Sequence, residues 1–569
     1  MVFFRRWCAI VPFLFAAFLS QGQDLADLSS QQPVRLSGNL SLTNSFYGVT
    51  NIPNRRSPYS YIMNGNATLQ LYGVSIPFSF IYSDEQSSFS QPFNRFGLSP
   101  RYKWATLHLG YRNVTFSPFT LAGHTFLGGG VELNPGVLRF GFVYGRFKKA
   151  IPEDTTGVPR SRLYQMAIPS YQRNGYAVKL GLGGEKNHFD LIMMKAEDDS
   201  ASIPYGPQKY DVDPGENTVF GISNKFTLFK KITWQNELAA SIYTLDTRAE
   251  AIDVSDFPMQ NLVESVFDPK TSTQLLSAAE SRLSYRHKLF SLQLKYRRVD
   301  PDYKSMGAYY FLTDIEQYTF IPSFSLFQHK VFINASLGLQ RDNLNDKKLA
   351  TTHRQIGSFN LSYNPGNVFG INVKYSNYGI SQNSGLKRRL TDTIRVQQVT
   401  ENFGLAPHLN FINDRASHNI SMYLGYQDLD DDNRFTSVYT EMNSFNGQLN
   451  YNLRFLKNQL TLNPSLSYIN SAFQSGETKS IGIAMGANKP LWDNAVTMNL
   501  RLGYNKNYFQ SLSNGFTFTT NTSFAVRPFG GTNHSLNLSL RWIHNHAQDT
   551  TILDSFSEFT GNLGYHYTF

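Results

Sequence analysis

The chain has 569 residues, among them 32 Tyr and 45 Phe, with only 17% charged residues and a formal net charge of +10. At roughly 150 residues per domain such a length suits several soluble domains, but a β-barrel exceeds that prior as a single unit. The one cysteine, Cys8, excludes disulfides, thiolate metal sites and cysteine nucleophiles from everything after it, and the dispersal of Lys and Arg along the chain argues against a nucleic-acid footprint.

At the N-terminus, Arg5 and Arg6 precede the apolar run Trp7 to Leu19 and the small-x-small site Ser20-Gln21-Gly22. That order is the pattern of an export leader cleaved after Gly22. The run has about 13 apolar residues, short of the roughly 20 a spanning helix needs. Residues 1–22 are therefore expected to be a signal peptide, 23–33 a short periplasmic segment, and 34–569 the folded unit. No later stretch holds 18 consecutive apolar residues, so a membrane-spanning form of this chain has to be a closed barrel, in which no backbone edge faces lipid.

From Val34 onward apolar and polar residues alternate with period two, the signature of half-buried strands. Phe220, Ile222, Phe226 and Leu228 run into Phe229-Lys230-Lys231, and Ile232, Trp234, Leu238, Ala240 and Ile242 return. The same device recurs at Asn364-Pro365-Gly366-Asn367, between Phe359, Leu361, Tyr363 and Phe369, Ile371, Val373. Short turns are expected near Gly73, Pro100, Pro135, Glu185, Lys230, His287, Gln328, Pro365, Asp414, Lys457, Pro490 and Gly531. Twelve hairpins, a first strand from Val34 to Tyr47 and a last from Phe559 to Phe569 give an all-β, transmembrane, antiparallel up-and-down barrel of about 26 strands, or 24 without the hairpin at Pro100. Longer polar connections, Lys149 to Ser170, Glu197 to Asn217, Leu245 to Ser277 and Val299 to Gln317, alternate with the short turns; barrels keep short turns in the periplasm and long loops outside.

Strands rising from the short turns carry Tyr82, Tyr111, Tyr144, Tyr296, Tyr375, Tyr426, Tyr468 and Tyr504 on the apolar side, as expected of an aromatic girdle at the outer membrane interface. Arg139, Arg146, Lys179, Lys295, Arg297, Lys374, Arg501 and Arg541 stand between apolar positions and are candidate lumen-lining cations, since basic rings select for anions. The competing reading pairs them with lumenal carboxylates such as Glu237 and Glu280.

The final strand, with Leu563, Tyr565, Tyr567 and Phe569 on one face, resembles the C-terminal signal read by the outer-membrane insertion machinery. Gln23 after the cleavage site and the richness in Asn, Tyr and Phe resemble large Gram-negative outer-membrane proteins of Bacteroidota. Large barrels of that group are often TonB-dependent transporters with a plug domain ahead of the first strand, and about ten residues before Val34 are too few for one. The resemblance implies outer-membrane localisation, contact with outer-membrane lipid and lipopolysaccharide, and handling by the insertion machinery.

No cofactor, metal or enzymatic role is expected. Asp428-Leu429-Asp430-Asp431-Asp432-Asn433 opens like a calcium loop, but Asn433 and Tyr439 stand where glycine and glutamate are required. His108, His188 and His418 lie at polar strand positions, with no nucleophile or carboxylate beside them in a recognisable motif. A barrel of 26 strands encloses more space than the 16 to 18 strands that already leave an aqueous channel, so something must fill it. One expectation is a porin-like channel for polar or anionic solutes, gated by inward-folded loops, above all Leu245 to Ser277 and the aromatic-rich Val299 to Gln317. The other is a non-conducting barrel subunit of a secretion or assembly complex, closed by a plugging partner.

Overall fold

The structure is a computed structural model; it describes residues 34–84, 95–152, 169–203, 212–252, 268–308, 312–348, 350–384, 397–431, 433, 436–528, 533–548 and 554–569. The expected leader and the segment 23–33 lie outside these residues. The described residues form 26 antiparallel strands in chain order, closed into one barrel. They are β1 (Val34–Thr50), β2 (Tyr59–Leu71), β3 (Val74–Ser83), β4 (Arg95–Leu98 and Arg101–Tyr102), β5 (Ala105–Asn113), β6 (Thr125–Leu133), β7 (Leu138–Lys148), β8 (Gln172–Gly183) and β9 (His188–Asp199). Next come β10 (Glu216–Leu228), β11 (Ile232–Thr244), β12 (Thr273–Arg286), β13 (Phe290–Val299), β14 (Ile315–Leu326), β15 (Val331–Arg341), β16 (Ala350–Tyr363), β17 (Phe369–Ser384), β18 (Gln397–Ile412) and β19 (Ala416–Asp431). After the one-turn helix α1 (Ser437–Thr440) follow β20 (Met442–Phe455), β21 (Thr461–Phe473), β22 (Gly476–Leu491), β23 (Val496–Phe509), β24 (Leu512–Val526), β25 (His534–His546) and β26 (Phe556–Thr568).

Closure is direct. β1 pairs with β26 from Asn39 opposite Thr568 to Thr50 opposite Ser557, and Gly38 and Phe569 exchange backbone hydrogen bonds of 2.8 and 3.0 Å beyond it. Phe569 thus ends the chain inside the ladder. Leu563, Tyr565 and Tyr567 share a face of β26; the Tyr567 ring stacks on Phe569 at 5.5 Å and on His534 of β25 at 4.5 Å.

Twelve tight connections lie on one rim, called lower here, and the longer connections on the opposite, upper rim. Tyr72 and Gly73 both have positive φ, 45° and 83°, the conformation that matches the twist of a two-residue hairpin. Two expected turns are displaced. The reversal expected at Pro100 occurs at Lys103-Trp104, because Ser99-Pro100 only interrupts β4: proline lacks the N–H a ladder needs, and the strand resumes at Arg101. Pro490 lies within β22, and the chain turns at Trp492-Asp493-Asn494, all with positive φ. Two upper connections are also two-residue turns, Gln474-Ser475 and Gln510-Ser511.

Every second residue of each strand faces outward, where large apolar side chains such as Leu109, Leu180, Leu191, Phe220, Leu238, Leu294, Leu339 and Leu502 stay exposed. The eight tyrosines Tyr82 to Tyr504 sit on this face, six to ten residues above the lower ends of their strands. A second aromatic belt, unrecognised in the sequence, lies near the lower rim and includes Phe226, Trp234, Tyr285, Phe290, Phe324 and Phe369; Tyr285, Phe290 and Phe324 pack in series at 5.8 and 6.2 Å. Among the described residues, the buried apolar core is inside the barrel and on one side, against β6 to β14.

Candidate functional site

The strands backing this core are apolar on both faces in their upper halves. Outward Phe142 and Tyr144 alternate with inward Val143 and Phe147, and outward Leu191 and Met193 with inward Ile192 and Met194. Val143, Phe147, Met194, Val219 and Val299 are all completely buried, which requires apolar matter on the lumenal side. Two upper connections supply it. Residues 114–124, between β5 and β6, and 300–308, after β13, fold into the barrel and place Val114, Phe116, Phe119, Leu121, Tyr303 and Met306 on that wall. Burying each such side chain stabilises by roughly 1.5–3 kcal/mol, which is what holds a connection inside instead of in solvent.

The two segments also bind each other and the wall. Ala122 N–H donates to Gly307 O at 3.0 Å, Tyr303 OH donates to Phe119 O at 2.7 Å, and Ser305 Oγ donates to Thr120 O. The wholly buried Asn217 side chain receives Met306 N–H at 2.9 Å and donates to Ser241 Oγ and Ile242 O, at 2.8 and 3.0 Å. Close approach depends on Gly307: a Cβ there would lie 2.6 Å from Thr120 O. Burial in this packing pushes the Tyr303 phenol well above its ordinary range. It also lowers the His124 imidazole to about 4, with the Arg173 guanidinium adding to the effect.

The expectation of inward-folded loops therefore has a specific form. Part of Val299 to Gln317 is inside, although Tyr309, Tyr310 and Phe311 lie outside the described residues, as do 253–267 of the connection Leu245 to Ser277. The second inward segment is 114–124, which the sequence reading did not single out. Its signal is the facing wall: strands apolar on both faces, as in Leu191-Ile192-Met193-Met194, are strands covered on both faces.

Just below the docked segments runs a charged band. Arg139 donates to both oxygens of Asp190 at 2.7 and 3.0 Å. Lys179 lies 3.4 Å from Glu132 and 4.8 Å above the Phe116 ring. Glu280 takes Arg282, Lys295 and Arg297 at 2.9, 3.1 and 3.8 Å, and Arg297 also sits 5.6 Å over Phe119. Four of the eight candidate cations, Arg139, Lys179, Lys295 and Arg297, thus have a carboxylate partner, Lys295 and Arg297 sharing Glu280 with Arg282, and Lys179 and Arg297 form the platform on which the Phe116–Phe119 segment rests. Glu237 is held by Ser223 Oγ at 2.8 Å and not by a cation.

Arg146 is misplaced by the sequence reading. It has the same strand parity as Phe142 and Tyr144, so it faces outward, where its guanidinium donates to Tyr111 OH at 3.4 Å.

Lys374, Arg501 and Arg541 are different again. All three point inward and are exposed, and among the described residues none has a carboxylate partner. Arg501 donates only to Ser465 Oγ, at 2.9 Å. Arg501 and Arg541 stand in one row on either side of Asn521, which pairs with both. They line a concave wall of about 590 Å³ with Asn463, Asn488, Asn499, Ser523, Ser539 and Asn562. Its carboxylate, Glu558, faces Arg55 at 3.5 Å.

Among the other candidates, the acidic segment at Asp428 is wired internally. Asp431 accepts from Thr436, Thr440 and Gln398 at 2.6, 2.6 and 3.0 Å, and from the Asn433 amide at 3.0 Å, which leaves its carboxylate committed to the turn into α1. His418 stacks on Phe411 at 4.5 Å, and His188 faces the Gly184 carbonyl. His108 is not an isolated polar residue: its Nδ1 is 3.0 Å from Ser99 Oγ and its Nε2 is 3.1 Å from Glu132. The fold brings these three together from β5, the β4 interruption and β6.

No family model matches the chain, and no curated protein does. Similar solved structures include the P pilus usher (PapC) translocation pore, with a TM-score of 0.39, 10% identity, and 94% of this chain and 100% of that one covered. The FrpB iron transporter of Neisseria meningitidis, F5-1 variant, gives 0.35 at 11% identity, covering 94% and 81%. Pseudomonas aeruginosa OccK2 (OpdF) gives 0.34 at 11% identity, covering 65% and 97%. At this distance the likeness assigns neither family nor activity.

Proposed function

We propose that the chain is an outer-membrane channel for polar or anionic solutes, in which two inward-folded connections fill one side of the lumen and solute passes along the other. The membrane reading rests on the closed barrel and its outward face, apolar between an upper tyrosine belt and a lower aromatic belt, as lipid requires. Lipid and lipopolysaccharide then surround the wall, and the aromatic face of β26 is what the insertion machinery would read.

The observation that carries the channel reading is the division of lumenal charge. Cations beneath the docked segments are paired, whereas Lys374, Arg501 and Arg541 lie on the uncovered wall without carboxylate partners among the described residues. An uncompensated charge in a confined aqueous path selects for counter-ions. The test is reconstitution of the detergent-purified barrel in planar bilayers. Stable steps with a reversal potential of anion preference are expected under a salt gradient. A silent barrel contradicts the channel and favours the subunit of a secretion or assembly complex.

A further inference from the structure

We infer that Ser99, His108 and Glu132 form a hydrolytic site for small carboxylic esters on the lumenal wall, an activity independent of whether the barrel conducts. The three side chains form a continuous hydrogen-bonded chain, Ser99 Oγ to His108 Nδ1 at 3.0 Å and His108 Nε2 to Glu132 Oε1 at 3.1 Å. Nucleophile, base and orienting carboxylate are therefore in the mutual order that acyl transfer requires. Three features of the fold make the arrangement more than a polar strand contact.

Ser99 lies at the one interruption of β4, beside Pro100, so its hydroxyl is set by a break in the ladder. The far oxygen of Glu132 is held by Lys179 at 3.4 Å, which fixes the carboxylate against the imidazole. Ser99 and His108 also border a cavity of about 490 Å³, shared with Asn64, Asn66, Ser79 and Arg112. Within it the Arg112 guanidinium reaches Ser79 Oγ at 3.3 Å and Pro77 O at 3.4 Å, while its Nε is buried without an acceptor. The guanidinium places a positive charge on the cavity wall.

The step balances without a cofactor. Ser99 Oγ attacks the ester carbonyl while His108 Nδ1 takes the hydroxyl proton; the imidazolium is stabilised through Nε2–H by Glu132. The tetrahedral oxyanion forms in the cavity that carries the Arg112 charge, and the alcohol leaves with the proton from His108. Water, deprotonated by His108, then releases the acid and restores the serine. The side chains of Asn64, Asn66, Asn113 and Ser79 suit a hydroxyl-rich alcohol and Phe80 and Ile81 of the same cavity a short acyl chain, so the substrate class assigned is a short-chain acyl ester of a saccharide.

The experiment uses the full barrel in detergent, with a fluorophosphonate probe and p-nitrophenyl acetate. Labelling at Ser99, located by peptide mass spectrometry, and acetate hydrolysis are expected; both should fall at least about a hundredfold in Ser99→Ala and His108→Ala. Glu132→Gln should lower the rate and retain some labelling. Heat-modifiable migration on gels checks that each variant remains a barrel. Absence of Ser99 labelling in folded wild type, or hydrolysis unchanged in folded Ser99→Ala, overturns the site. A preference for p-nitrophenyl palmitate over acetate overturns the substrate class.

Discussion

His124 is a residue on which the docked state turns. It is 5% exposed, 5.3 Å from the Phe147 ring, and held neutral down to about pH 4. Released into water, the same imidazole takes a proton near 6.5, so the undocked form binds more protons at every pH between those values. Docking is then at full strength above pH 6.5 and weakens as pH falls toward 4, by up to about 3 kcal/mol. Protease cleavage between residues 114 and 124 should increase across this interval, and His124→Gln should flatten the dependence; equal cleavage at pH 7 and pH 4.5 would refute it. The lumenal cations give a second residue-level expectation. Arg501→Gln with Arg541→Gln should remove most of the anion preference measured by reversal potential. Arg139→Gln combined with Asp190→Asn should leave it almost unchanged, because that pair carries no net charge. Similar effects from both would mean that charge pairing does not sort these residues.

Among the elements, the docked connections and the ladder are stabilised by different forces. Strand pairing runs unbroken from β5 to β6 around the base of the segment 114–124, while the segment itself depends on Phe119 and its neighbours. Phe119→Ala, which costs about 3–5 kcal/mol at a packed site, should release the segment and raise single-channel conductance severalfold. The barrel's gel migration should not change; loss of the folded band would show that the connection supports the wall. The lattice of strands and turns was legible in sequence because period-two alternation and tight turns are local. The misreadings are equally physical. Pro100 and Pro490 mark places where an N–H is missing, not where the chain reverses. Arg146 stands between apolar neighbours in the sequence, but it shares the strand parity of Phe142 and Tyr144, which faces it outward. The pairing of Ser99, His108 and Glu132 depends on the register of β4, β5 and β6, which no local spacing displays.

At the scale of the whole molecule, the barrel has two unlike inner walls. From β6 to β14 the upper lumenal face is apolar and covered, whereas from β21 to β26 the lumenal face, mostly lower in the barrel, is lined by Asn, Ser and Thr with Arg501 and Arg541 exposed. Under the proposed channel, this division leaves the uncovered wall as the side along which solute passes. It is tested most directly by thiol accessibility, read as current through the reconstituted barrel, because Cys8, the one cysteine, lies in the expected leader. Asn521→Cys is predicted to react with a membrane-impermeant charged thiol reagent and to lose conductance. Val219→Cys, completely buried against the docked segments, should stay unmodified until Phe119→Ala is added. Equal reaction at the two positions, or modification of Asn521→Cys without any change in current, would contradict this division of the lumen.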